Sequence, residues 1–393
     1  VPAFTPDAAR QLTGPWTERR TAAAERVAAA VLPTPDEEIW RYSRITELDL
    51  DRFAPTPTVT RVTGGDGLVA GAEDASGDPE LASLVDVVGG EAPDVFADLN
   101  LAFMAPTIVR VPPGRVVAEP IVVTHTIAGD GAAHFPRLVI DAGPDSEVTV
   151  VERFVTPNGD RALVVPVLQL RAAPAARVKY LGVNELGPAV WQIAHQQAVG
   201  ERDSTTLLAT VALGGDYARV RTDARLVGQG GSTRQVALYF AGDTQMHDFR
   251  TLQDHAAPKT HSDLLFKGAV QDTAKSVYTG LIRIRHDAKG SQAFQTNRNL
   301  TLSEGAWAES VPNLEIETND VKCSHASTVG PIDPEQRFYL ESRGLQPHIA
   351  ERLVVLGFFD EVLAQLPAGD LAAELRSRVS AKLHLDSEQE VAA

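Results

Sequence analysis

Between Ala105 and His325 the chain repeats one texture, in which short runs rich in Val, Ile, Thr and Leu alternate with polar residues and are separated by Gly, Pro, Asp and Asn. TIVRV, VVAEPIVVTHTI, EVTVVERFV, ARVKYLGV, RQVALYFA, SVYTGLIRIRH and AFQTNRNLTLS all carry it. Period-2 alternation places successive side chains on opposite faces and predicts strands, not helices. Many short strands with small-residue corners suit a solenoid, in which each turn buries its face on the next. A sandwich or barrel satisfies the same pattern, and no clean sequence period separates the three.

Helical signals bracket this region. TERRTAAAERVAAAVLP (17–33) is Ala-rich, has Thr17 as a possible cap and stops before Pro33 and Pro35. Residues 54–93, rich in Gly, Pro, Asp and Thr, read as an irregular connector. After His325, IDPEQRFYLESRG supplies Asp333 as N-cap, Pro334 at N1, Gln336 at the capping-box position and Gly344 as terminator. PHIAERLVVLGFFDEVLAQLP spaces Ile349, Leu353, Leu356, Val362, Leu363 and Leu366 near the helical period, with Gly357 as a break or joint. A further helix starts behind Asp370, and the chain ends in a polar tail. The expected organisation is a helical region and connector over 1–100, a β core over 101–328 and a helical module over 329–393.

Composition excludes several function classes. The chain has 393 residues, 36 Lys and Arg against 52 Asp and Glu, and a net charge of -16. Such a surface repels phosphate backbones and anionic lipid, so neither nucleic acid nor membrane is an expected partner. No apolar run reaches the roughly 20 residues that span a bilayer, and the first residues lack a basic start followed by an apolar core. The expectation is a cytoplasmic protein. A single cysteine rules out an internal disulfide framework and any multi-cysteine metal cage.

That cysteine lies in NDVKCSHAST (319–328). On a continuing strand, Val321, Cys323 and His325 share one face. A thiolate and an imidazole there can ligate iron or zinc, but two ligands fill half a tetrahedral site, so a partner chain must supply the rest. The plainer alternative is a small core cysteine and a histidine capping the next helix. Upstream, His247, His255 and His261 sit among Asp248, Asp254 and Asp263, which invites a metal, with His255 the weak candidate. The spacings match no helical metal motif, and Asp beside His is commonly a local hydrogen-bonding pair. Glu315 and Glu317, on one strand face about 7 Å apart, are the candidate pair of a polysaccharide-cleaving β-helix enzyme. Aromatic platforms for a sugar are sparse, however. No phosphate-cradling loop with a Lys and no serine nucleophile elbow occurs, so the chain is not expected to be an enzyme.

SVYTGLIRI, QTNRNLTLSEGAWAESVPNLEIETNDVKCSHASTVGPIDPEQRFYLESRGL and GFFDEVL resemble the SufB/SufD family of iron–sulfur cluster assembly proteins. The resemblance is densest over 276–361, runs up through DHAAPKTHSDLLFKG and is echoed in EEIWRYSRITELDLDRF. SufB-type members carry a scaffold cysteine in a stretch like IECRNN, where this chain has LEIETN with Ile316, so the SufD type fits better. Two departures stand out: Ala326 replaces a common glycine, with an altered turn as the expected effect, and Lys259 replaces a common histidine.

The resemblance implies a right-handed parallel β-helix, or β-solenoid, flanked by N- and C-terminal α-helical regions. It implies pairing with a SufB-like scaffold and docking of a SufC-like ABC ATPase on the C-terminal helices. Glu341, Arg343, Phe358 and Phe359 are the docking candidates by position in that module. His325, with Cys323 beside it, is implied as interface chemistry for a transient iron or nascent cluster that no single chain holds stably. A homodimer through the same edge is plausible for the isolated chain. The rival readings are a structural β-solenoid adaptor and the polysaccharide enzyme.

Overall fold

The computed structural model describes residues 3–89, 93–367 and 369–383. From Ala105 onward the long strands alternate between two sheets, with the short strands Ala132–His134 and Ala162–Val164 added to one of them. Strands Glu147–Val155, Arg177–Glu185, Thr205–Ala212, Ser232–Ala241, His261–Val270, Ser291–Thr301 and Val321–Gly330 lie side by side in one sheet. Pro136–Ala142, Val167–Ala172, Val190–Gly200, Tyr217–Leu226, Met246–His255, Lys275–Ile284 and Trp307–Ile316 lie in the other. All these pairings are parallel. The chain is therefore a flattened β-solenoid of about eight turns with helices at both ends.

The missing sequence period has a structural reason. Side chains hydrogen-bonded between adjacent turns are 26 residues apart at one level and 32 at another, because corners vary in length while strands stay in register. One corner is nevertheless stacked. Gly114, Asp145, Ala175, Asp203, Gly230, Lys259 and Gly290 all have φ between 53° and 75°. Each donates its backbone N–H to the next turn, from Gly114 N to Pro144 O at 2.8 Å through Lys259 N to Lys289 O at 2.9 Å. Gly, Asp and Asn tolerate this left-handed conformation best, and Lys259 occupies it as a corner residue, not as a metal ligand.

The two ends differ. Strand Val59–Thr63 from the expected connector pairs antiparallel with Ile121–Thr126 and covers one sheet's first strand, while Val69–Ala70 covers the other's. The connector also contains short helices at Ala72–Gly77 and Pro79–Ser83. At the far end, Trp307–Ile316 and Val321–Gly330 have no further neighbour among the described residues.

Helix Thr17–Ala29 begins at Thr17, whose hydroxyl bonds to Gly14 O at 2.9 Å, so Thr17 is the first helical residue and Trp16 the uncapped N-cap. A second N-terminal helix, Val95–Phe103, is capped by Asp94 and buried on most sides, so it has no polar stripe to betray it. Asp333 caps Pro334–Ser342 as expected, its carboxylate accepting from Glu335 N at 2.9 Å, and Gly344 (φ 89°) ends the turn that follows. Helix Pro347–Leu363 runs unbroken through Gly357, where a joint was expected. The last helix spans Asp370–Lys382. The polar tail lies outside the described residues.

Candidate functional site

The open end of the solenoid carries the sequence candidates. In strand 321–330 the residues Val321, Cys323, His325, Ser327 and Val329 continue the inward files of the turn beneath: Ala293 lies under Cys323, Gln295 under His325 and Asn297 under Ser327. Deeper in the solenoid these files are buried, as at Ser262, Leu264 and Phe266. Here no turn covers them, and His325 is exposed while Cys323 is half-buried. Cys323 and Val321 pack on Ile282, Ile284, Ala288 and Ala293. Burial pushes the Cys323 thiol up, opposed by a hydrogen bond from the Ala293 backbone.

The opposite wall is strand 307–316, with Ser310, Pro312, Leu314 and Ile316 above Tyr278, Gly280, Ile282 and Ile284. Leu314 and Ile316 are exposed. Pro312 cannot donate to a ladder and is tolerated on an edge strand, so it marks this strand as terminal and blunts its free edge. Strand 321–330 has no proline and keeps its outer backbone groups available. Ala326 lies in mid-strand opposite Thr296, not in a turn, so its side chain alters no corner.

The upstream cluster dissolves. His247 and His255 are fully buried. His255 has both ring nitrogens on hydroxyls, Thr260 and Ser262, each at 2.7 Å, and burial lowers its pKa to about 4. Those hydroxyls occupy both positions that a metal would need, which corrects the His255 candidate. His247 pairs with Gly214 O at 3.2 Å and is lowered to about 3 by burial and by Lys382. Asp248 accepts from Arg250 at 2.6 Å and Tyr217 at 2.8 Å, Asp254 from Arg285 at 2.7 Å, and Asp263 lies 3.6 Å from Arg234. Among the described residues no group of three or more His, Cys, Asp and Glu side chains converges as a metal site. Glu315 pairs with Arg283 at 2.9 Å, and Glu317 accepts from His286 N at 3.2 Å.

The C-terminal helices separate into an anchor and a free face. In helix 347–363, Val355, Leu356, Phe359, Val362 and Leu363 are buried against Val236, Leu238 and Phe240 of the solenoid. At roughly 1.5–3 kcal/mol for each buried side chain, that helix is fixed. Phe359, fully buried beside Phe240, is thus a core residue, which corrects its place among the docking candidates. Phe358 is half-buried with the Lys267 ammonium 4.5 Å from its ring centre.

Helix 334–342, by contrast, buries none of its residues. Phe338 is 71% and Tyr339 58% exposed, and Arg343 stacks on Tyr339. Glu341 is paired with Arg337 at 2.7 Å. Between the two helices runs a groove of about 800 Å³ lined by Leu300, Pro331, Tyr339, Leu340, Leu353 and Phe358. Gln336 also lines it and does not close a capping box. Sequence reasoning placed Leu353 in the apolar spacing of its helix and passed over Phe338 and Tyr339, whose signal was two aromatic residues on adjacent positions, which no single apolar face can bury.

The N-terminal echo EEIWRYSR is explained by docking on the outer face of the solenoid. Trp40 is buried under the Arg219 guanidinium, 3.8 Å from its ring centre. Arg219 and Arg250 donate to the backbone oxygens of Ile39 and Arg41, each at 2.6 Å, while Arg44 meets Asp216 at 2.8 Å.

Fold and site together define a two-sheet parallel β-solenoid closed at one end and open at the other, with Cys323 and His325 on the uncovered files of the open end and an anchored helical appendage. Residues 125–358 match the family model for the SUF system FeS cluster assembly SufBD core domain, and the chain belongs to the SufBD family. It is 35% identical over 379 residues to an iron–sulfur cluster assembly SufBD family protein of Mycobacterium tuberculosis, covering 93% of this chain and 92% of the relative. It is 28% identical over 382 residues to the iron–sulfur cluster assembly protein SufD of Escherichia coli (90% and 89% covered). To SufD of Bacillus subtilis it is 30% identical over 277 residues (70% and 63% covered). No helix among the described residues is long and apolar enough to cross a membrane.

Proposed function

We propose that this chain is a SufD-type, non-catalytic subunit of the cytoplasmic SUF machinery, which pairs through the open end of its solenoid with a SufB-like scaffold. The observation that carries the reading is the placement of Cys323 and His325 on the uncovered inward files of the last strand. They are half a ligand set, at the edge where another chain's strand can continue the sheet. The iron or nascent cluster is cargo, held between His325 and ligands of the partner and released by separation of the two chains. A ligand set shared between chains assembles and disassembles with the interface, whereas a cage within one chain does not. In the absence of a scaffold the same edge serves for a second copy of this chain.

The motion is supplied by a SufC-like ABC ATPase docked on helix 334–342 and its groove. The anchored helix 347–363 transmits the load to the turns that it packs on. Phe338, Tyr339 and Leu353 form the apolar part of that surface, with Phe358 in its floor and Glu341 and Arg343 at its rim. Capture of the ATPase by the tagged full chain tests this reading. Phe338→Glu with Tyr339→Ser should abolish capture while the melting temperature stays within a few degrees of wild type. Capture unaffected by the double change would refute the docking surface.

A further inference from the structure

The QTNRN motif places three amides inside the solenoid, and they are not treated alike. Asn297 donates to the Tyr239 hydroxyl at 2.9 Å, Asn299 donates to the Asn297 amide oxygen at 2.7 Å, and Tyr239 donates to Asn299 at 2.6 Å. That set is closed. Gln295 is 2% exposed, and neither its amide nitrogen nor its amide oxygen meets a protein partner. It sits in the file immediately beneath His325. Space is built for it, because a Cβ on Gly280 of the facing sheet would overlap the Gln295 amide and the Tyr278 hydroxyl. Directly above Tyr278, in the last turn, the Ser310 hydroxyl is also buried without a protein partner.

Two motifs thus cooperate: the glycine of SVYTGLIRI makes room, and the glutamine of QTNRN fills it with an uncommitted hydrogen-bonding head. A buried amide left without a protein partner is disfavoured, and one that a native structure keeps calls for a water, an ion or a ligand as its partner. We infer that Gln295 is a positioning residue of the Cys323–His325 site. Its N–H groups reach across one strand spacing, about 4.8 Å, and donate to the electron-rich atom of the iron species seated there, a sulfide, a thiolate or a hydroxide. Hydrogen bonds of this kind govern how firmly a metal or cluster is held without adding a ligand. The inference rests on the open end being the assembly site.

The test compares Gln295→Met, Gln295→Glu and His325→Ala in cells that depend on this pathway, reading iron–sulfur enzyme activity, protein abundance and the melting temperature of each purified chain. Methionine fills the same space without a polar head, so Gln295→Met should melt at or above the wild-type temperature yet lower enzyme activity about tenfold or more. Gln295→Glu keeps the size but replaces the donor by a carboxylate, which accepts and carries negative charge, and should lose activity at least as far as Gln295→Met. Wild-type activity in Gln295→Met beside a defective His325→Ala overturns the inference alone. Wild-type activity in Gln295→Glu also overturns it, since an N–H donor at that position would then not be what the site needs. Wild-type activity in His325→Ala overturns the underlying reading of the site. Should Gln295→Met lose abundance, Gly280→Ala, which displaces the amide without changing it, should give the same activity loss, and a normal activity there counts against the inference.

Discussion

Individual side chains divide by whether a further turn covers them. Cys323 and His325 continue files that are buried everywhere deeper in the solenoid, so their accessibility comes from position in the stack and not from residue type. Buried histidines show the opposite case. His255 and His247 have folded pKa values of about 4 and about 3, below the ordinary 6.5. The unfolded chain therefore binds more protons between those values and 6.5. Their contribution is fully present above pH 6.5 and is lost as pH falls toward 3, by roughly 3 kcal/mol for His255. Urea midpoints measured from pH 7 to pH 4 should fall accordingly, and His255→Gln should flatten the part above pH 4. A pH-independent midpoint in the wild type would contradict the assignment of neutral, hydroxyl-bound rings.

Elements were legible where one rule decides them. Alternation marked the strands, and Asp333, Pro334 and Gly344 marked the helix between them. Helix 95–103 escaped because it is short and apolar all round, and Gly357 misled because a glycine in a well-anchored helix costs only about 1 kcal/mol, which packing overrides. The open end was only partly legible: Pro312 announces an edge strand, but the placing of His325 on Gln295's file needs the register. The stacked corner yields an element-scale prediction. Lys259 holds φ 56°, so Lys259→Gly should stabilise the chain by about 1 kcal/mol in denaturant unfolding, and a loss would mean that its side chain matters more than its backbone. The helical appendage yields another. Phe359→Ala should cost about 3–5 kcal/mol, whereas Phe338→Ala should change stability by less than about 0.5 kcal/mol. Comparable losses in the two would deny the division into anchor and free face.

At the scale of the whole molecule, the solenoid is a rigid stack with one capped end and one unfinished end. The N-terminal clamp through Trp40, Arg219 and Arg250 ties several turns together on the outside, and helix 347–363 does so from the sheet of strand 321–330. In the proposed reading, a force applied at helix 334–342 moves the body as a unit, and the uncovered last turn is where that movement changes chemistry. His325→Ala, introduced in place of the wild-type gene in cells that rely on this pathway, tests that claim most directly. The account predicts a loss of iron–sulfur enzyme activity with unchanged protein abundance and unchanged ATPase capture; full activity at normal abundance would contradict it.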